Sequence, residues 1–173
     1  KVNAIVIDCF GDQGVDAGRE IKNVPVDGVR RAALHLPLTL GTRFQVISVA
    51  GLPTEKWMEH AIRAEGLGPW CAGITALKLP VLELSKKPDV VLSEIRAICK
   101  HAIEHKGADV IVFGCTGLSA EIDSKAVSQE FGVPILDPLE VGIKIAALLV
   151  DCGLSHSKVA YPMPTRKPIT EDP

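Results

Sequence analysis

Residues 110–117 read Val-Ile-Val-Phe-Gly-Cys-Thr-Gly, and residues 4–11 read Ala-Ile-Val-Ile-Asp-Cys-Phe-Gly. Each is a short apolar run that ends in a cysteine and, two residues on, a glycine. A run apolar at consecutive positions is the mark of a strand buried on both faces, as in a parallel sheet covered by helices. The echo continues downstream, where Val24-Pro25-Val26 is matched by Val133-Pro134-Ile135. Order and spacing both survive, so the duplication is of half the molecule and two similar lobes are expected. It puts Cys9 and Cys115 at equivalent points, where two thiols would face each other across a shared cleft, an arrangement for moving protons.

Working outward, strands are expected at 3–9, 23–27, 44–49, 73–78, 109–114 and 133–136. Helices are expected at 13–22, 29–40, from a Thr54 cap to about residue 65, 88–105, 118–130 and 139–151. This alternation specifies an α/β fold of two pseudo-symmetric lobes with parallel sheets flanked by helices. Residues 1–27 and 137–173 are assigned to the first lobe and 28–136 to the second. In such sheets ligands bind beyond the carboxyl ends of the strands, which places the site in the cleft, at the two cysteines. The second copy is preceded by strands at 44–49 and 73–78, while the first has nothing before Lys1. We therefore expect a first lobe missing its upstream part. The tail from Ser155, rich in proline, is expected to lie extended on the surface.

The bulk properties narrow the function. The net charge of −2 leaves no basic surplus to neutralise phosphates, which argues against a nucleic-acid partner. No apolar stretch is long enough to span a membrane. Five cysteines, an odd number without CxxC pairs, argue against a disulfide framework or zinc ribbon and for a reducing cytoplasm. No metal site is expected. His101 and His105 stand four apart but lack the zinc-protease order, and read as a solvated helix face. Gly11, Gly14 and Gly18 do not make a dinucleotide fingerprint. Cys71, Cys99 and Cys152 lack the strand-end setting and read as structural, and Trp57 and Trp70 as surface packing between lobes or subunits. Asp12 and Asp16 read as helix caps. By strand alternation Asp8 should point away from Cys9.

The glycines after each cysteine let a ligand approach the backbone, and amides at a nearby helix start favour thiolate, so each thiol is expected to titrate nearer neutrality than a free one. With these motifs the strings at 5–14 and 112–119, the turn Val-Pro-Val-Asp-Gly at 24–28, the segment at 79–84 and the ending His156-Ser157-Lys158-Val159-Ala160-Tyr161 together resemble the Asp/Glu/hydantoin racemase superfamily, nearest its hydantoin and allantoin racemase branch. The resemblance covers essentially the whole chain in order. It implies a cofactor-independent racemase acting on a small molecule, commonly a homo-oligomer. One cysteine, as thiolate, removes a proton from the stereogenic carbon and the other, as thiol, returns one on the opposite face. Cys9 and Cys115 match these catalytic positions, and the backbone at Phe10, Gly11, Thr116 and Gly117 would bind the substrate carbonyl. Near-attack contact on both sides would put the sulfurs roughly 6.5–7.5 Å apart, too far for a disulfide.

Two departures stand out. Family members begin with a strand whose asparagine anchors the substrate, and nothing here corresponds to it. Where hydantoin racemases usually continue Gly-Ile-Gly-Glu after Val-Pro-Val, this chain has Gly28-Val29-Arg30-Arg31. Two arginines in the first turn of a helix oppose its dipole, and they point either to an anionic substrate group or to solvated side chains. A hydantoin or allantoin is the expected substrate. The alternatives are an aspartate or glutamate racemase, a maleate isomerase-like enzyme with one nucleophilic cysteine, and an inactive truncated member.

Overall fold

The computed structural model describes residues 2–165. It contains two parallel sheets. A two-stranded sheet pairs β1 (Ile5–Ile7) with β2 (Val26–Gly28), and a four-stranded sheet holds β3 (Phe44–Val49), β4 (Cys71–Leu77), β5 (Val110–Phe113) and β6 (Ile135–Leu136) in the order β4-β3-β5-β6. Ile5 pairs with Val26 in the first, and Phe44 with Val110 in the second. The helices are α1 (Val15–Ile21), α2 (Val29–His35), α3 (Leu52–Ala64), α4 (Pro88–Lys106), α5 (Thr116–Glu121), α6 (Ser124–Phe131) and α7 (Pro138–Asp151). Each expected strand is present. No helix among the described residues is long and apolar enough to cross a membrane.

The apolar runs of β3 and β5 are explained by what covers them. Phe44, Val46, Val110 and Val112 face one way, into a core shared with Ala33 and Leu34 of α2 and Met58 and Ile62 of α3. Ile47, Val49, Ile111 and Phe113 face the other way, against Val91, Ile95 and Cys99 of α4 and Val127 of α6. Alternation therefore survives in direction, and only the polar half of the pattern is missing because both faces are buried. Phe10, just past β1, is 6% exposed and belongs to the core beneath α2 and α3. One side chain from the small sheet thus plugs into the core of the large one. Between the sheets α7 packs along α2, where Gly142 permits close approach: a Cβ there would stand 3.0 Å from Val29 Cγ1.

Strand ends shift by a few residues, β1 for example spanning Ile5–Ile7 where 3–9 was expected, and three helices depart further. Thr54 does not cap α3, which begins at Leu52 with Pro53 in its first turn, where a missing N–H is harmless. The single helix expected over 118–130 is two, because Ile122 is extended and Asp123 caps a new start by accepting the Lys125 and Ala126 amides. The helix expected over 29–40 ends at His35 and tightens into a 3₁₀ turn, Leu36–Thr39, around Pro37.

The tail is mostly exposed where it is described, but it is not extended throughout: it turns at 158–160, with the Tyr161 amide on the Ser157 carbonyl at 2.9 Å, and is tied down by half-buried His156 and Tyr161. Its residues from 166 onward lie outside the described part. Lys158 Nζ donates to the carbonyls of Arg19, Glu20 and Lys22 at 2.7, 2.9 and 2.6 Å, a cation on the carbonyl end of α1. Tyr161 Oη accepts from the buried Arg19, and His156 Nε2 accepts from the Val26 amide at 2.8 Å. An amide can only donate, so this imidazole must be neutral at Nε2. Burial holds the His156 pKa below its ordinary 6.5, and Arg19 acts in the same direction. The folded ring thus binds its proton less readily than the unfolded chain. Its contribution is complete above pH 6.5 and is lost as the pH falls through the depressed folded value. Hydrogen exchange at the Val26 amide, corrected for intrinsic rate, should show opening that becomes more frequent with acidity below that point. Opening that stays constant on acidification would contradict the tether.

Candidate active site

Both cysteines stand at carboxyl ends of strands, in different sheets. Cys9 follows β1 by one residue and Cys115 follows β5 by one residue. The turns after them match: the Asp12 amide donates to the Cys9 carbonyl at 2.9 Å, and the Leu118 amide to the Cys115 carbonyl at 3.1 Å. The sequence repeat is therefore a repeat of local geometry. Both thiols are free and open into one cavity of about 560 Å³, within the range of small-molecule sites. Phe10, Gly11, Thr116 and Gly117 line the same cavity. Cys9 is exposed and Cys115 half-buried.

The expectation of a lowered thiol pKa is not met at Cys115. Burial pushes this thiol up. The Gly117 and Leu118 amides draw it down by less, and Cys9 and Asp8 nearby add to the rise. Burial thus favours the protonated form of Cys115. Asp8, one residue past the end of β1, is among the residues that line the same cavity as Cys9.

The remaining walls were not evident in the sequence. Ser48, Val49 and Ala50 at the end of β3, Thr54, Trp57 and Met58 on α3, and Val81 close the cavity. Trp57 therefore belongs to the cleft, contrary to its reading as a packing residue, while Trp70 lies exposed before β4. The Ser48 hydroxyl donates to the Gly114 carbonyl at 2.9 Å and ties the end of β3 to the Cys115 turn. Ala50 adopts φ 66°, a left-handed conformation costing about 1–2 kcal/mol, and is held there by its amide on the Leu79 carbonyl at 3.0 Å.

The start of α2 and the Arg30 side chain are accounted for without a substrate. Asp12, itself at φ 53°, accepts the amides of Arg30 and Arg31 at 3.0 Å each, capping α2 from outside the helix. Its carboxylate supplies the negative charge that the first turn of α2 lacks. Gly28 makes the approach possible, since a Cβ there would collide with the Asp12 carboxylate. Arg30 Nη1 lies 2.6 Å from Glu65 Oε1, its Nε 3.7 Å from Asp12, and its guanidinium 5.8 Å from the Trp57 ring centroid. Asp16 pairs with Arg19 within α1, whose N-cap is Gly14.

Elsewhere, Cys99 is buried with its thiol pushed up to about 12 by burial, and Cys71 is half-buried with its thiol also raised. Cys152 is exposed at the end of α7 and so is not a core residue. His101 and His105 lie on the exposed face of α4. Among the described residues no cluster of His, Cys, Asp or Glu is arranged to hold a metal ion.

Comparison with known proteins gives a consistent set of relatives. Residues 1–146 match the family described as Asp/Glu/Hydantoin racemase. A hydantoin racemase from Pseudomonas sp. (strain NS671) is 34% identical over 168 residues, covering 96% of this chain and 66% of the relative. The crystal structure of allantoin racemase from Pseudomonas fluorescens superposes with a TM-score of 0.88 at 30% identity, over 98% of this chain and 71% of that one. Allantoin racemase from Klebsiella pneumoniae gives a TM-score of 0.87 at 32% identity, over 96% and 67%. The chain spans about two thirds of the length of these proteins.

Proposed function

Because this chain belongs to the Asp/Glu/hydantoin racemase family, we propose that it carries the site of a cofactor-independent racemase acting on a 5-substituted hydantoin or on allantoin, with Cys9 and Cys115 as its acid–base pair. The observation that carries this reading is that the two thiols stand at the ends of strands from separate sheets and open into one cavity. One thiolate takes the proton from the stereogenic carbon, and the electron pair moves onto the adjacent ring carbonyl. The opposite thiol then delivers its proton to the other face, so the pair ends each turnover with its protonation exchanged. Backbone amides at Phe10, Gly11, Thr116 and Gly117 would stabilise the developing oxyanion. The raised Cys115 pKa suits it to the acid role at neutral pH.

Electrostatics favour a neutral ring over a free acidic amino acid. Among the described residues that line the cavity Asp8 carries the charge, and no Lys, Arg or His is one of them. Arg30, which would have favoured an acidic substrate, is engaged by Glu65 and Asp12. Among the described lining residues a substrate carboxylate would meet a like charge and no counter-ion. The division into lobes at 1–27 with 137–173 and 28–136 is part of the proposal, supported by the packing of α7 against β1 and β2. So are a homo-oligomeric assembly and a cytoplasmic location, the latter supported by five free cysteines.

Enantiopure 5-substituted hydantoin in heavy water should lose optical rotation faster than an enzyme-free blank, with deuterium entering at the stereogenic carbon in step. Aspartate and glutamate should keep their rotation. Glutamate racemised faster than the hydantoin would overturn the neutral-substrate reading.

A further inference from the structure

We propose that the apolar groove between α7 and β6 is the face on which a second copy of this chain docks, the two α7 helices lying antiparallel across a twofold axis level with Gly142. This rests on the homo-oligomeric part of the proposed function, to which it gives a surface, and is independent of the thiol chemistry.

The groove holds about 320 Å³ and is lined by Leu36 after α2, Ile135 and Leu136 of β6, and Val141, Ile145 and Leu148 of α7. β6 is the last strand in the order of the large sheet, so among the described residues no further strand covers this edge. Leu148 is 58% exposed, and Leu38 and Leu40, which follow Leu36 in the chain, are exposed as well. An apolar groove with exposed leucines marks a surface that another protein covers. The charges at its rim say which. Asp137, Glu140 and Lys144 border the groove. Asp137 is engaged as the cap of α7, accepting the Leu139 and Glu140 amides. Glu140 and Lys144 are exposed one turn apart, with opposite sign. Glu140 has a loose contact with exposed Lys125 at 3.5 Å, worth little in water. A partner of one charge sign would meet one of these groups and oppose the other. A surface carrying both signs a turn apart is complementary to itself after a half-turn, when Lys144 of each copy meets Glu140 of the other. The same axis makes an apolar contact. At 1.5 Å rise per residue, Leu148 lies about 9 Å along α7 from the level of Gly142. Its image therefore falls opposite the start of the other copy's α7, which Ile135 and Leu136 immediately precede. One rotation thus pairs both charges and seats both exposed leucines.

Sedimentation velocity of the unaltered chain between about 1 and 100 μM should show self-association that grows with concentration. Leu148→Asp should weaken it by about tenfold or more, with a melting temperature close to that of the unaltered chain because the side chain is mostly exposed. Glu140→Lys and Lys144→Glu each set like charges against one another twice, and each should weaken association by about 3–10-fold. The double variant carrying both changes restores opposite charges across the axis and should return to within about twofold of the unaltered chain. Losses that add in the double variant, or an oligomer indifferent to Leu148→Asp, would overturn this face while leaving an assembly through another. A monomer at every concentration would overturn the face and the assembly together. Neither reading uses turnover, so failure here is distinct from failure of the racemase chemistry.

Discussion

Serine at position 9 or at position 115 abolishes racemisation but leaves exchange of one enantiomer with solvent: this is the expected result if the two cysteines are acid and base on opposite faces. A hydroxyl is far too weakly acidic to replace a thiolate, and a positioned acid–base group contributes about 10²–10⁴-fold to rate. Each single variant should lose racemisation by about 10³-fold or more. The remaining cysteine still reaches the proton on its own face, removes it, and returns a deuteron to that face. Proton NMR in heavy water should then show label entering one enantiomer with retained configuration, and the other enantiomer in the companion variant. Full activity in either variant would sink the mechanism. Circular dichroism should be unchanged, since Cys9 is exposed and Cys115 half-buried.

The second large effect is expected at Phe10, for a reason that differs from its reading in the sequence. Its backbone is expected to bind substrate, and the residue is among those lining the cavity, but Phe10 is only 6% exposed and belongs to the core beneath α2 and α3. Phe10→Ala should destabilise the protein by about 3–5 kcal/mol, the usual result of emptying a buried aromatic site. Phe10→Leu should cost less than about 1.5 kcal/mol. Urea unfolding would measure both. Activity should fall further than the unfolded fraction accounts for in Phe10→Ala, because Cys9 is its neighbour in the chain. An exposed-residue response, within about 0.5 kcal/mol of no change, would show that the ring is not an anchor.

The strands and the paired cysteines were legible because their signals are local: a buried parallel strand has to be apolar on both faces, and Cys9 and Cys115 each end such a run. The break between α5 and α6 was equally local, since Asp123 followed by Ser124 is a capping sequence, but the apolar residues on either side concealed it. What the sequence could not disclose depends on partners far along the chain. Arg30 looks available for an anion until Glu65, thirty-five residues on, is found 2.6 Å away. Asp12 reads as a cap for the helix that follows it, yet it caps α2, eighteen residues later. Trp57 could face either side of α3 until the turn of β1 supplied the opposite wall. The strand expected to reach 9 ends at Ile7, so Asp8 and Cys9 lie in the turn beyond it.

The separation of the two sheets has a mechanical consequence. No backbone ladder joins β1–β2 to β4-β3-β5-β6, so the gap between the thiols is set by side chains meeting across the seam, with Phe10 as a dowel and α7 seated on α2. The site behaves like a pair of calipers whose opening is adjusted away from its tips. Gly142 sits at that contact, where a Cβ would stand 3.0 Å from Val29 Cγ1, so the close fit of α7 on α2 is set at a point that places no atom in the cleft. The contact that seats one sheet's helix against the other's thus lies outside the site itself.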